Sequence, residues 1–324
     1  MPCPSESTTP RRSDASLSAR HILQQFGIVI ALVAIGAMLA AATPTFLTAA
    51  NLINVTRQIS LNGLLAVGVT FVLLTGGVDL SLGSVVALAG VVAAIFAHPG
   101  EHMVVVPIFL GILAGTACGA TNGLVVTRGG VASFIVTLGM MSAARGLALI
   151  ASGGRPVSNM SPQLIRLGGD IFGLPIPVLI LAVVSLSAWL FLINTRLGRY
   201  VYAVGGNENA ARAAGISVTK VKMFAYTLCG AMAGLAGVVL AARITTGQPN
   251  AGIGYELDAI AAVVIGGTSL SGGVGGIGGT LLGALLMGVI NTGLDLLNVS
   301  SYYQQVVKGV IIVGAVWLDR RHNE

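Results

Sequence analysis

From Ile22 to Leu318 the chain is a succession of apolar runs, with one long polar interruption at Thr195–Lys222. Charged residues make up only 9% of the chain, against about 25% in a soluble domain. Such a chain cannot cover its apolar surface in water. In lipid every backbone N–H and C=O must be paired inside the protein, which leaves helices as the spanning element for runs of this length. The expected fold is an all-α polytopic membrane protein.

Taken in order, the runs predict about ten transmembrane helices, at 22–42, 62–75, 85–97, 104–126, 131–151, 176–193, 224–242, 255–265, 278–297 and 306–318. Residues 1–20 read as a disordered tail, 21–318 as one transmembrane domain and 319–324 as a second tail. Thr43–Ile59 reads as an amphipathic surface segment. Ala40-Ala41-Ala42 resembles a signal-peptide cleavage site. The run before it is longer than a signal peptide's apolar core of about 7–15 residues, so an uncleaved first span is expected. With the N-terminus inside, 11 of the 17 Lys and Arg fall on the inner side and 6 on the outer. That asymmetry puts both termini in the cytoplasm. It also accounts for the net charge of +6 without a nucleic-acid partner; the partner at the surface is membrane lipid. The 45 glycines suit close helix packing through small residues.

The polar stretch carries Arg196, Arg199, Arg212, Lys220 and Lys222 against one acid, Glu208. Gly205-Gly206 marks a turn. Asn207 suits a helix N-cap, Glu208 puts a carboxylate in the first turn where the dipole favours it, and Gly215 suits the position past a helix end. The stretch therefore reads as a short capped helix outside the bilayer. It is either an ordinary loop or a rigid body that docks on another protein. In the second case Ala210, Ala211, Ala213 and Ala214 supply a small face, and Arg212 can pair with an acid on the partner.

Two glycine-rich strings resemble each other. Gly76–Gly83 (GGVDLSLG) and Gly266–Gly273 (GGTSLSGG) agree at five of eight positions. Both follow an apolar run and both precede another. Interrupted helices at matching positions of two halves point to a transport pathway, which makes Gly76, Gly77, Asp79, Ser81, Gly266, Gly267 and Ser271 candidates; tight turns are the other reading. Asp79, Glu256, Asp258 and Asp295 fall near predicted span ends, where capping or pairing with Arg145, Arg243 or Lys308 is expected. Arg145 itself is expected near a helix end. Gly273–Gly278 fits G-x-G-x-x-G but has no strand before it and no βαβ unit around it. No Gly-Lys pair and no catalytic constellation is present, so no cofactor, metal or catalytic residue is expected. Cys118 and Cys229 lie in apolar runs and read as packing; the histidines of His98–His102 read as solvated.

GRYVYAVGGNENAARAAGI (Gly198–Ile216) and YELDAIAAVVIGGTSLSGG (Tyr255–Gly273) resemble bacterial sugar-importer permeases of the ribose type, in the ATP-binding-cassette (ABC) class. GVDLSLGS (Gly77–Ser84) and VSSYYQ (Val299–Gln304) match as well. The resemblance implies an inner-membrane permease for ribose or a related pentose, a homodimer served by a separate cytoplasmic ATPase and an extracytoplasmic sugar-binding protein. It also implies that Asn207–Ile216 is the ATPase-coupling region. Arg57, Arg155 and Arg166 are candidates to dock the binding protein. An ion-coupled secondary carrier for a small neutral solute is the alternative. It would need an acidic relay at mid-membrane.

Overall fold

The structure, a computed structural model, describes the backbone of residues 14–323 and the side-chain surroundings of 27–314 and of Trp317. Its helices are α1 (Asp14–Ala42), α2 (Ala49–Leu74), α3 (Leu82–Ile95), α4 (Val105–Arg128), α5 (Ser133–Ser152), α6 (Pro162–Ile165), α7 (Ile176–Asn194), α8 (Arg196–Gly206), α9 (Glu208–Ala213), α10 (Val218–Ile244), α11 (Tyr255–Ile265), α12 (Ile277–Leu296) and α13 (Ser301–Asn323). The fold is nearly, not wholly, helical: β1 (Asp170–Ile171) pairs antiparallel with β2 (Leu174–Pro175) in a small hairpin.

Among the described residues, six helices, α2, α4, α5, α7, α10 and α12, are long and apolar enough to cross a membrane. α3, at 14 residues, is shorter, and the side chains of α1 are described only from Gly27. The surface segment expected at Thr43–Ile59 is instead mostly the first part of α2. Thr48 caps this helix by accepting from Asn51 N at 3.4 Å. The polar Arg57 is neutralised by Asp170 at 2.5 Å, so nothing stops the helix before Leu74. Asp14–Arg20, expected as tail, already belongs to α1; residues 1–13 lie outside the described set.

α4 and α10 form the tightest crossing. Gly111, Gly115, Gly119 and Gly123 recur every fourth residue on one buried face of α4. A Cβ on Gly115 or Gly119 would overlap the α10 backbone at Gly230, Gly234 or Tyr226. Small residues at this period let two backbones approach where lipid gives no hydrophobic drive.

α2–α5 and α10–α13 repeat one arrangement. α2 packs on α11 and α12 as α10 packs on α3 and α4, and α2 and α10 pack on each other. α3 packs on α4 and α5 as α11 packs on α12 and α13. α2 and α10 run in opposite directions, since Phe71 meets Phe224 while Gly68 meets Cys229 and Met232. This is an inverted repeat, the architecture of many transporters. In each half a long helix is followed by a non-helical lead-in (75–81 or 245–254) and then a short helix (α3 or α11). The lead-ins enter from opposite ends of the bundle. The two glycine strings are therefore not equivalent positions of the halves: the counterpart of 75–81 is 245–254, and Gly266–Gly273 follows α11.

Candidate functional site

The capped helix forms at α9. Asn207 accepts from Ala210 N at 2.9 Å. Gly215 ends it with φ +81°, and Ile216 N donates to Ala211 O at 3.0 Å. Glu208 accepts from Arg212 at 2.9 Å and from Lys222 of α10 at 2.6 Å. The hydrogen bond from Lys222 is the main reason the Glu208 carboxyl is held below its ordinary range. α9 is thus tied to the root of α10. Ala210, Ala213 and Ala214 are exposed, whereas Ala211 is buried against the chain's own core. The small face offered outward is therefore narrower than the sequence implied, and Arg212 already has a partner in Glu208.

Gly205-Gly206 is no turn. It is the last part of α8, which starts on Thr195 capping Gly198 N at 2.9 Å. A Cβ on Gly205 would overlap Leu74 O, and its next nearest atom is Gly273 N. Gly273 N donates to Leu74 O at 3.0 Å. Gly272 lies against Gly76 and Gly205, and Gly273 against Gly206. The Tyr202 hydroxyl donates to Gly275 O at 3.0 Å. The end of α2 and the second glycine string thus meet α8 backbone to backbone at the two residues before Asn207, and the first string meets the second through Gly76.

The other predicted residues separate. Gly77 faces the Tyr226 hydroxyl and Gly266 packs α11 on Gly279 of α12. Gly267 has φ +86° with open space around it, and Ser271 presents its carbonyl to Gly76. Asp79 and Ser81 are buried inside the bundle. Asp79 Oδ1 accepts from Ser81 N at 2.9 Å and from Ser81 Oγ at 2.6 Å, and Asn122 Nδ2 lies 3.5 Å from Oδ2. No ion pair to Asp79 forms among the described residues. Asp258 does pair with Lys308, at 2.8 Å, and takes Asn291 Nδ2 at 3.2 Å. Of the three arginines, Arg57 is tied to Asp170, and Arg155 and Arg166 are exposed.

Arg145 departs from expectation. It sits well inside α5, and its guanidinium donates to Pro249 O at 2.6 Å and Ala251 O at 2.8 Å. Non-helical backbone at membrane depth needs such a partner. Tyr202 and the α8 glycines were likewise missed as contacts: a hydroxyl on an amphipathic helix has no sequence signal for the carbonyl it reaches. Among the described residues no group of His, Cys, Asp and Glu is arranged to hold a metal.

The profile of the family described as "Branched-chain amino acid transport system / permease component" matches residues 51–316. The ribose import permease protein of Escherichia coli strain K12 is 48% identical over 298 residues, covering 90% of this chain and 92% of that protein. Its counterpart from Bacillus subtilis strain 168 is 45% identical over 305 residues, covering 93% and 94%. The D-allose transport system permease protein of Escherichia coli strain K12 is 39% identical over 298 residues, covering 91% of each. No solved structure matches the chain significantly. With this coverage, and with apolar helices fit to cross a membrane, the chain belongs to the branched-chain amino acid transport system permease family.

Proposed function

We propose that this chain is the membrane-spanning subunit of an ABC importer for ribose or a closely related monosaccharide, in the bacterial inner membrane. α9 is the element through which a separate cytoplasmic ATPase acts, and an extracytoplasmic binding protein delivers the sugar. The observation that carries this reading is the junction at α8: a capped helix exposed at one end of the bundle, joined through α8 by backbone contacts to the end of α2 and to the second glycine string, and by Glu208–Lys222 to α10. A push on α9 passes through α8 to its neighbours by backbone packing, and to α10 through the Glu208–Lys222 pair. The substrate class follows the relatives, named for ribose, D-allose and, in Azospirillum brasilense, L-arabinose.

On this reading the end of the bundle bearing α8 and α9 is cytoplasmic. α1, α3, α11 and α13 complete a count of ten spans with both termini inside, and two copies make the working permease. Arg155 and Arg166 face the binding protein at the opposite end. The chain has no catalytic role of its own.

The test is uptake of labelled ribose into proteoliposomes holding permease, ATPase and binding protein, with each omitted in turn. Uptake is expected only with all three and ATP. Uptake by the permease alone down an ion gradient would overturn the proposal in favour of a secondary carrier.

A further inference from the structure

The two short helices begin at the same place. A Cβ on Gly83, at the start of α3, would overlap Gly252 O and the Glu256 carboxylate at the start of α11. Gly83 precedes Ile95, the last residue of α3, by 12 positions. At 1.5 Å per residue this is about 18 Å below that end of the bundle, close to the middle of a hydrocarbon layer of about 30 Å.

Three polar side chains stand around this point. Arg145 of α5 and Glu256 of α11 are partly exposed, and Asn250 of the 245–254 lead-in is exposed. Arg145 spans the carbonyls on either side of Asn250. Glu256 accepts from Gly254 N at 3.3 Å through one oxygen. Lipid cannot solvate groups of this kind at such depth, so they face water or protein. Buried carboxylates elsewhere in the bundle are closed off: Asp79 is 1% exposed and Asp258 3%. This face is left open instead.

We infer that Arg145, Asn250 and Glu256 line the translocation path and form a transient site for a neutral polyhydroxylated monosaccharide. With one positive and one negative group the site carries no net charge to favour an ion of one sign. It offers fixed donors and acceptors side by side, and a sugar's hydroxyls act as both. Asn250 has the freest side chain of the three and makes direct contact; Arg145 also holds the lead-in in place. The inference rests on the importer reading and adds the residues the sugar touches.

The experiment uses the complete importer in proteoliposomes. Asn250→Ala is expected to lower ribose transport about fivefold, the effect of one lost hydrogen bond, and Glu256→Gln to lower it further. Asn250→Cys is expected to react with a water-soluble maleimide in at least one nucleotide state, with millimolar ribose slowing the reaction. Native Cys118 and Cys229 are buried, and Cys3 is replaced by Ser in the background so that position 250 carries the labelled thiol. Transport by Asn250→Ala equal to that of the unsubstituted complex would overturn the site. So would Asn250→Cys staying unlabelled in every state of a complex that still hydrolyses ATP. If the importer reading itself fails, the unsubstituted complex takes up no ribose, which separates the two outcomes.

Discussion

The two halves of the bundle carry the same device in different chemistry. In α10–α13 the buried carboxylate Asp258 is held by Asn291 and by a cation, Lys308. In α2–α5 the buried carboxylate Asp79 is held by Asn122 and by the hydroxyl and amide of Ser81. Each pairs the short helix or its lead-in with the next long span. Only the Asp258 arrangement ties in a third helix, α13. The short helices also end differently. α3 runs into the loop 96–104, where Gly100 has open space around it. α11 runs into the glycine string keyed to α8. The carboxylate of the first half is thus held by hydrogen bonds alone, while that of the second is linked by an ion pair to the helix at the bundle's edge. Both halves reach α8 by backbone packing, the first at Leu74 and the second at Gly272 and Gly273. Motion imposed at α9 acts on the loop of the second half and on the end of α2.

The largest expected effect tests the ion pair. Lys308→Met leaves Asp258 buried and uncompensated, a loss of about 3–5 kcal/mol, read as a lower thermal unfolding midpoint in detergent. Asp258→Asn combined with Lys308→Met should recover most of it. If Lys308→Met unfolds like the unsubstituted protein, the contrast between the halves is wrong.

Next comes the junction. Gly205→Ala puts a methyl into Leu74 O, so α8 must lift off the end of α2 and the second glycine string. Sugar transported per ATP should fall on the order of tenfold, because even 1.4 kcal/mol shifts an equilibrium by that factor. Tyr202→Phe, which loses only the bond to Gly275 O, should fall less. Normal coupling in both would break the link drawn between α9 and the second half.

At α9 itself, Ala214→Trp should reduce coupling severalfold while insertion stays intact, since Ala214 is exposed. Gly215→Val should act similarly by straining a residue at φ +81°. Ala211 is not a clean probe, being buried. Titration of ATPase binding by the Ala214→Trp permease checks this; undiminished binding and coupling would remove α9 from the interface.

The smallest effect is expected in the first half. Asp79→Asn keeps an oxygen for Ser81 and strands no cation, so it should cost about 1 kcal/mol. A loss as large as that of Lys308→Met would show the two carboxylates to be alike.

The capped helix was legible in the sequence because caps are local: Asn207, Glu208 and Gly215 act within a few residues of themselves. The membrane fold was legible because runs too apolar for water have few ways to pair their backbone. Equivalence of the two glycine strings was misleading, because Gly, Leu and Ser recur wherever backbones must approach. The true counterpart of 75–81 is 245–254, which shares geometry with it and almost no sequence.

What the sequence determined by itself was therefore the helical membrane class, the position of the short helix and the family resemblance. These depend on composition, on neighbouring residues or on long matching strings. Which carboxylate has a cation, where Arg145 reaches and what Gly205 touches were decided only by tertiary structure. Asp258 and Lys308 are 50 residues apart and Arg145 is more than 100 from both its carbonyls. No local pattern encodes such pairings, which exist only once the two inverted halves have closed on each other.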